Sequence, residues 1–101
     1  MREDVVTAVV LVQCEIDEIP EAAQAIAGID GVTEVYWVAG EVDLVAIVRV
    51  SEHDDLAKVI PQGIDKVEGV ERTETLIAFQ VYSRHDLDRL FSIGFQEESG
   101  P

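Results

Sequence analysis

The apolar positions along this chain alternate between two periods. From Val5 to Cys14 the sequence is rich in β-branched residues, and its only polar members before the cysteine are Thr7 and Gln13. That composition predicts a strand that is apolar on both faces. From Ile19 the spacing changes: Ile19, Ala22, Ala23, Ile26 and Ile29 form the i, i+3, i+4, i+7 stripe of an amphipathic helix. Pro20 suits the first turn, where its missing N–H is not needed, and Asp30-Gly31 marks the exit, glycine supplying a turn that other residues resist.

Val32 to Val38, with Tyr36 and Trp37, reads as a second strand, and Glu41 to Val50 as a third. Only Ala39-Gly40, or a residue more, separates them, which predicts an antiparallel hairpin. Ser51 followed by Asp54 forms a capping pattern for a second helix, whose buried stripe is Leu56, Val59, Ile60, Ile64 and Val67, ending at Gly69. Pro61 interrupts that stripe and predicts a kink or a break. Val70 to Tyr82 is the last strand, and Ser83 with Asp86 caps a short helix bearing Leu87, Leu90 and Phe91.

The pattern repeats. Ile26, Ile29, Gly31 and Val32 recur 38 residues later as Ile64, Val67, Gly69 and Val70. Two strand-helix-strand units in series give the order βαββαβ and predict an α+β, ferredoxin-like fold. Its four-stranded antiparallel sheet carries both helices on one face. The domain is expected over residues 1–83, with 84–101 as a helical tail. The other sheet face should then be bare, yet Val9-Val10-Leu11-Val12, Leu44-Val45-Ala46-Ile47-Val48 and Leu76-Ile77-Ala78-Phe79 are apolar at both parities. Each aliphatic side chain left in water forgoes about 1.5–3 kcal/mol. A second copy packed sheet to sheet is the expected cover, since two-fold homodimers are the commonest oligomers; the tail folding back is the other possible cover, and one short helix is small for that area.

A length of 101 residues suits one core. The 21 acidic against 7 basic side chains give a formal charge of -14, a surface that repels phosphate backbones and argues against direct nucleic-acid binding. No apolar run reaches the ~18 residues of a membrane span. Met1-Arg2-Glu3-Asp4 lacks the cationic start of a secretory signal, and the single cysteine, Cys14, makes no internal disulfide, so a reducing cytoplasm is the expected compartment.

Catalytic motifs are absent: there is no phosphate-cradling glycine loop, no Cys-x-x-Cys and no His-Glu-x-x-His. His53 and His85 stand in different elements. Glu15, Asp17, Glu18 and Glu21 are acidic enough to attract a cation but lack a ligand loop, and solvated charge is the ordinary reading. Neither a metal nor a cofactor is expected. The hairpin Ala39-Gly40-Glu41-Val42-Asp43 is more specific: Gly40 permits close approach of backbone to a ligand, and Asp43 can accept from an ammonium group, although on these residues alone an ordinary hairpin turn is the preferred reading.

Three motifs in order then resemble a known family. Gly31-Val-Thr-Glu-Val-Tyr36, Val38-Ala-Gly-Glu-Val-Asp-Leu-Val45 and Glu68-Gly-Val-Glu-Arg-Thr-Glu-Thr75 are similar to the C-terminal amino-acid-sensing (RAM) domain of Lrp/AsnC transcriptional regulators, over about Thr7 to Tyr82. With the chain starting at the first strand, the stand-alone members without a helix-turn-helix half are the best match. The resemblance implies a dimer of sheets, assembly of dimers into rings, and an amino-acid-like effector held between dimers. Gly40 with the backbone of Ala39 and Glu41 would meet the effector's charged groups, Asp43 would anchor it, and Thr73 and Thr75 of a neighbouring subunit would add hydroxyls. Full-length Lrp/AsnC regulators are the implied partners. A valine at position 42, where many relatives carry an aromatic residue, departs from the pattern. Two other classes share the element order: dimeric α+β barrel enzymes of the monooxygenase type, which need a placed His, Asn or Tyr, and ACT-type amino-acid-binding domains. A purely structural oligomerisation module is the third alternative.

Overall fold

The computed structural model describes residues 5–80 and residue 82. Six principal elements follow in order: β1 (Val6–Cys14), α1 (Ile19–Ala27), β2 (Val32–Trp37), β3 (Leu44–Val50), α2 (His53–Val59) and β4 (Val70–Ile77). Single 3-10 turns at Ile16–Glu18 and Ile64–Lys66 precede α1 and follow α2. The strands form one antiparallel sheet in the order β2-β3-β1-β4. This is the expected ferredoxin-like arrangement.

The core lies between the sheet and the helices. Along β1 and β3 alternate residues, Ala8, Val10, Val12 and Cys14 with Leu44, Ala46 and Val48, are buried. From the helical side come Ile19, Ala22, Ile26, Leu56, Val59, Ile60 and Ile64. The repeat-related pair Ile26 and Ile64 are both fully buried, each contributing roughly 1.5–3 kcal/mol of burial. Each unit thus places one isoleucine at the centre of the common core.

Several boundaries differ from the sequence expectations, each for a local reason. Helix α1 stops at Ala27, where the Gly28 N–H turns to the carbonyls of Gln24 and Ala25, and the reversal itself falls at Gly31, φ +101°. Ser51 does not cap α2. Glu52 occupies the N-cap position without a side-chain bond, and Asp54 and Asp55 supply the acidic first turn. The helix ends at Val59, two residues before Pro61, so the proline marks a break; the chain regains helical form only for Ile64–Lys66. Strand β4 ends at Ile77 rather than Tyr82, because β1 begins at Val6 and the last bond runs from the Ala78 N–H to the Thr7 carbonyl. The expected tail helix lies outside the described residues.

The hairpin between β2 and β3 is wider than a two-residue turn, spanning residues 38–43. The Val38 N–H reaches the Asp43 carbonyl at 2.9 Å, whereas the Asp43 N–H points the other way, to Val12 of β1 at 3.0 Å. Asp43 therefore bonds toward both neighbouring strands at once, and the residues between Val38 and Asp43 bulge into a loop.

Candidate functional site

That loop is open but fastened. Ala39, Gly40 and Glu41 are exposed, and a Cβ built on Gly40 would meet nothing within 4 Å. Its flanks are tied to the end of β1. The Cys14 N–H donates to Asp43 Oδ2 at 2.9 Å, and Gln13 Nε2 donates to the Glu41 carbonyl at 3.1 Å. β3 begins only at Leu44, so the Cys14 amide has no strand carbonyl beside it, and the Asp43 carboxylate takes that place. A carboxylate accepting a backbone N–H makes a charge-assisted bond, stronger than its neutral counterpart. The result is a short stretch of exposed backbone held in one shape.

The sequence reading gave Asp43 a role toward a ligand's ammonium group; here one of its oxygens is engaged within the chain. Thr73 pairs with Val12 and Thr75 with Val10, on the helix side of the sheet. Thr73 Oγ1 donates to Asp65 Oδ1 at 2.8 Å, and Thr75 is exposed. Val12 receives the Asp43 N–H from one side and pairs with Thr73 on the other. Hairpin and threonines are thus at the same end of the sheet, two strand spacings or about 10 Å apart.

Three supporting residues escaped the sequence reading. Gln13 carried a signal, being the polar interruption near the end of an apolar strand. The backbone amide of Cys14 carried none, and neither did Asp65, whose bond to Thr73 depends on how the turn after the proline lands. The Cys14 thiol is buried, and its pKa is raised by loss of hydration and then by the charges of Asp43 and Glu71. At neutral pH it remains a packed thiol.

Elsewhere, His53 is exposed at the start of α2. Asp17, Glu18, Glu21 and Glu68 border a shallow open groove with Ala25 and Val67. The Glu18 carboxyl is pushed above its ordinary range by desolvation and by repulsion from Glu68, Glu15, Glu21 and Asp17. Among the described residues no three His, Cys, Asp or Glu side chains converge on a point where a metal would sit.

The sheet face away from the helices is a second candidate surface. The strand pairings align Glu34, Ile47, Val9 and Leu76 in one row, and Tyr36, Val45, Leu11 and Glu74 in the next. Val9, Leu11, Val45 and Ile47 are only half-buried, and Tyr36 and Leu76 are about half exposed, at 50% and 46%. At the β2 edge Tyr36 donates its hydroxyl to Glu34, a bond that raises the phenol's pKa, and Arg49 lies 3.8 Å from the same carboxylate. An apolar stripe with polar margins crosses all four strands.

Comparison with known proteins agrees with this architecture. The model of the Lrp/AsnC ligand binding domain family matches residues 7–87. The crystal structure of TTHA0845 from Thermus thermophilus is 47% identical, with a TM-score of 0.74, over 78% of this chain and 99% of that one. AsnC of E. coli is 26% identical with a TM-score of 0.72, over 79% of this chain and 54% of that one. An uncharacterised HTH-type transcriptional regulator of Pyrococcus horikoshii, PH1916, is 39% identical over 59 residues, 58% of this chain and 39% of that protein. The chain spans half or less of the length of the curated relatives it matches.

Proposed function

Because the chain belongs to the Lrp/AsnC ligand-binding domain family, we propose that it is an oligomeric sensing module for an amino-acid-like effector, acting without catalysis. The observation that carries this reading is the fastened hairpin: exposed backbone around Gly40, clear of the described side chains of its own subunit and fixed by Asp43 and Gln13. Fixed backbone amides bind a carboxylate without having to be ordered first, which lowers the entropic cost of binding. In this reading Ala39, Gly40 and Glu41 contact the effector's charged groups. Asp43 holds the loop and offers its second oxygen, and Thr73 and Thr75 of a neighbouring subunit supply hydroxyls.

The half-covered apolar face supports a second part of the proposal, a sheet-to-sheet homodimer that further assembles into rings through the hairpins. Effector binding would then bias how dimers meet, and full-length Lrp/AsnC regulators are the partners through which a module with so acidic a surface would reach transcription. A free buried thiol fits the cytoplasm; among the described residues no helix is long and apolar enough to cross a membrane.

Thermal-shift measurements against the common amino acids test the proposal. At least one should raise the melting temperature of the natural chain, and Gly40→Val should abolish that shift; because the Gly40 backbone, at φ +156°, resists a side chain, the variant's own unliganded melting temperature should fall and is the baseline for its response. Asp43→Asn keeps an acceptor for the Cys14 amide and should weaken the response without unfolding the loop. Light scattering on the same samples should give dimers or multiples of dimers. A monomer that responds to no amino acid would refute the reading.

A further inference from the structure

Beside the hairpin stands an aromatic side chain that the core does not use. Trp37 ends β2 and pairs with Leu44, which begins β3, on the last rung below the loop. The pairing puts both side chains on the helix face of the sheet. Leu44 is fully buried, whereas Trp37, on the edge strand, is 64% exposed. An indole carries roughly 150–250 Å² of apolar surface, and most of this one is left in water two residues before Ala39.

The loop next to it is acidic and lacks counter-ions. Glu41 is exposed, and it is its backbone carbonyl, not its carboxylate, that takes the bond from Gln13. Asp43 gives one oxygen to the Cys14 amide and keeps the other. Among the described residues the ion pairs are Arg49 with Glu34 and Lys58 with Asp55, so neither loop carboxylate has one. Glu71 strengthens the field from β4, since its charge and that of Asp43 both bear on the Cys14 thiol. The basic side chains lie elsewhere. Arg49 pairs with Thr7 at the far end of the sheet, and Arg72, opposite Gln13, stands on the face away from Thr73. Lys66 follows Asp65, the acidic partner of Thr73, and those two charges offset each other.

An amino acid held by its carboxylate on the loop amides and by its ammonium on Asp43 leaves its side chain for Trp37 and the Glu41 carboxylate to read. An acidic side chain is repelled by Glu41 and finds no basic group on the hairpin. A neutral apolar one gains the indole but covers a carboxylate that then has no partner, which is costly. A cation satisfies both, lying against the ring face and pairing with the carboxylate. The formal charge of -14 on the whole chain also draws cations toward the surface. The geometry points to a basic amino acid as the effector, its cationic side chain held between the Trp37 indole and the Glu41 carboxylate. This inference rests on the reading of the hairpin as the effector site and names the class of effector that the site selects.

Calorimetric titration of the natural full-length chain with lysine, norleucine and glutamate tests it, norleucine having the carbon chain of lysine without the ammonium. Lysine should bind about ten-fold or more tighter than norleucine, glutamate should not bind, and the margin should narrow at high salt. Trp37→Leu keeps an apolar side chain but removes the ring face, and should weaken lysine about three- to thirty-fold while changing norleucine little. Trp37→Phe should retain most of the preference, and Glu41→Gln should reduce it. Tighter binding of norleucine or glutamate than of lysine would overturn the cationic effector and leave the hairpin site standing, whereas binding of no amino acid would overturn both. A Trp37→Leu chain that keeps its lysine preference but gives smaller particles in light scattering would also overturn the inference, the indole then being a contact between copies.

Discussion

Gly31 and Gly69 occupy the same place in the two strand-helix-strand units and turn with nearly the same φ, +101° and +95°. What stands over them is not the same. A Cβ on Gly31 would lie 2.7 Å from Val59 Cγ2 and 3.2 Å from Val50 Cγ1, whereas a Cβ on Gly69 would meet the side chain of Glu18, at 2.9 Å from both its Cβ and its Oε1. The first turn is closed by the apolar core of the opposite unit. The second is closed by a carboxylate within an acidic rim. A repeated backbone requirement therefore fixes where the chain reverses, while the surroundings decide whether the reversal is packed or wetted.

The largest effects should come from the cores of the two units. Ile26→Ala and Ile64→Ala each remove a fully buried side chain and should each cost about 2–5 kcal/mol in urea unfolding. A much smaller loss for Ile64→Ala would show that the unit with the broken helix carries little of the core, and the equivalence of the halves would fail. The glycines come next. Gly31→Ala combines backbone strain of about 1–2 kcal/mol with overpacking of about 1–3 kcal/mol, so a loss of about 2–5 kcal/mol is expected. Gly69→Ala carries the same strain and presses on half-buried Glu18, whose outer atoms alone can swing away, so a somewhat smaller loss of about 2–4 kcal/mol is expected.

The smallest effect is a pH dependence at Glu18. Its carboxyl titrates above the ordinary value of 4.5 in the folded chain, so the fold disfavours the ionised form. That penalty is fully present above the folded pKa and disappears as the pH falls below the ordinary carboxylate range. Glu18→Gln should thus raise the melting temperature at pH 7, and the gain should vanish in acid. A gain that persists at low pH would mean the rim destabilises through packing rather than charge.

Most of the fold was legible because its main signals are periodic and local. The switch from β-branched runs to the Ile19–Ile29 stripe located α1, the proline located the break in α2, and the 38-residue offset between Ile26 and Ile64 disclosed the doubled unit. Boundaries were less legible, since they depend on partners distant in sequence. β4 ends where β1 runs out of backbone, and β3 begins only where Leu44 comes opposite both Val12 and Trp37. At the candidate site the type of loop could be read from Ala39-Gly40, but its anchoring could not: Cys14 meets Asp43 across 29 positions. Thr73 likewise gained an acidic partner, Asp65, that no spacing rule in the sequence singles out.

The strand order β2-β3-β1-β4 has one more consequence. Neither unit owns a pair of hydrogen-bonded neighbours: β1 and β2 are separated by β3, and β3 and β4 are separated by β1. A fragment cut at Gly40, in the hairpin between the units, would hold one half of the repeat intact in sequence and yet contain no two strands that pair with each other. The halves interleave as the fingers of two hands do, so the domain should come apart in a single cooperative step, and its folding must wait for contacts that are far apart along the chain.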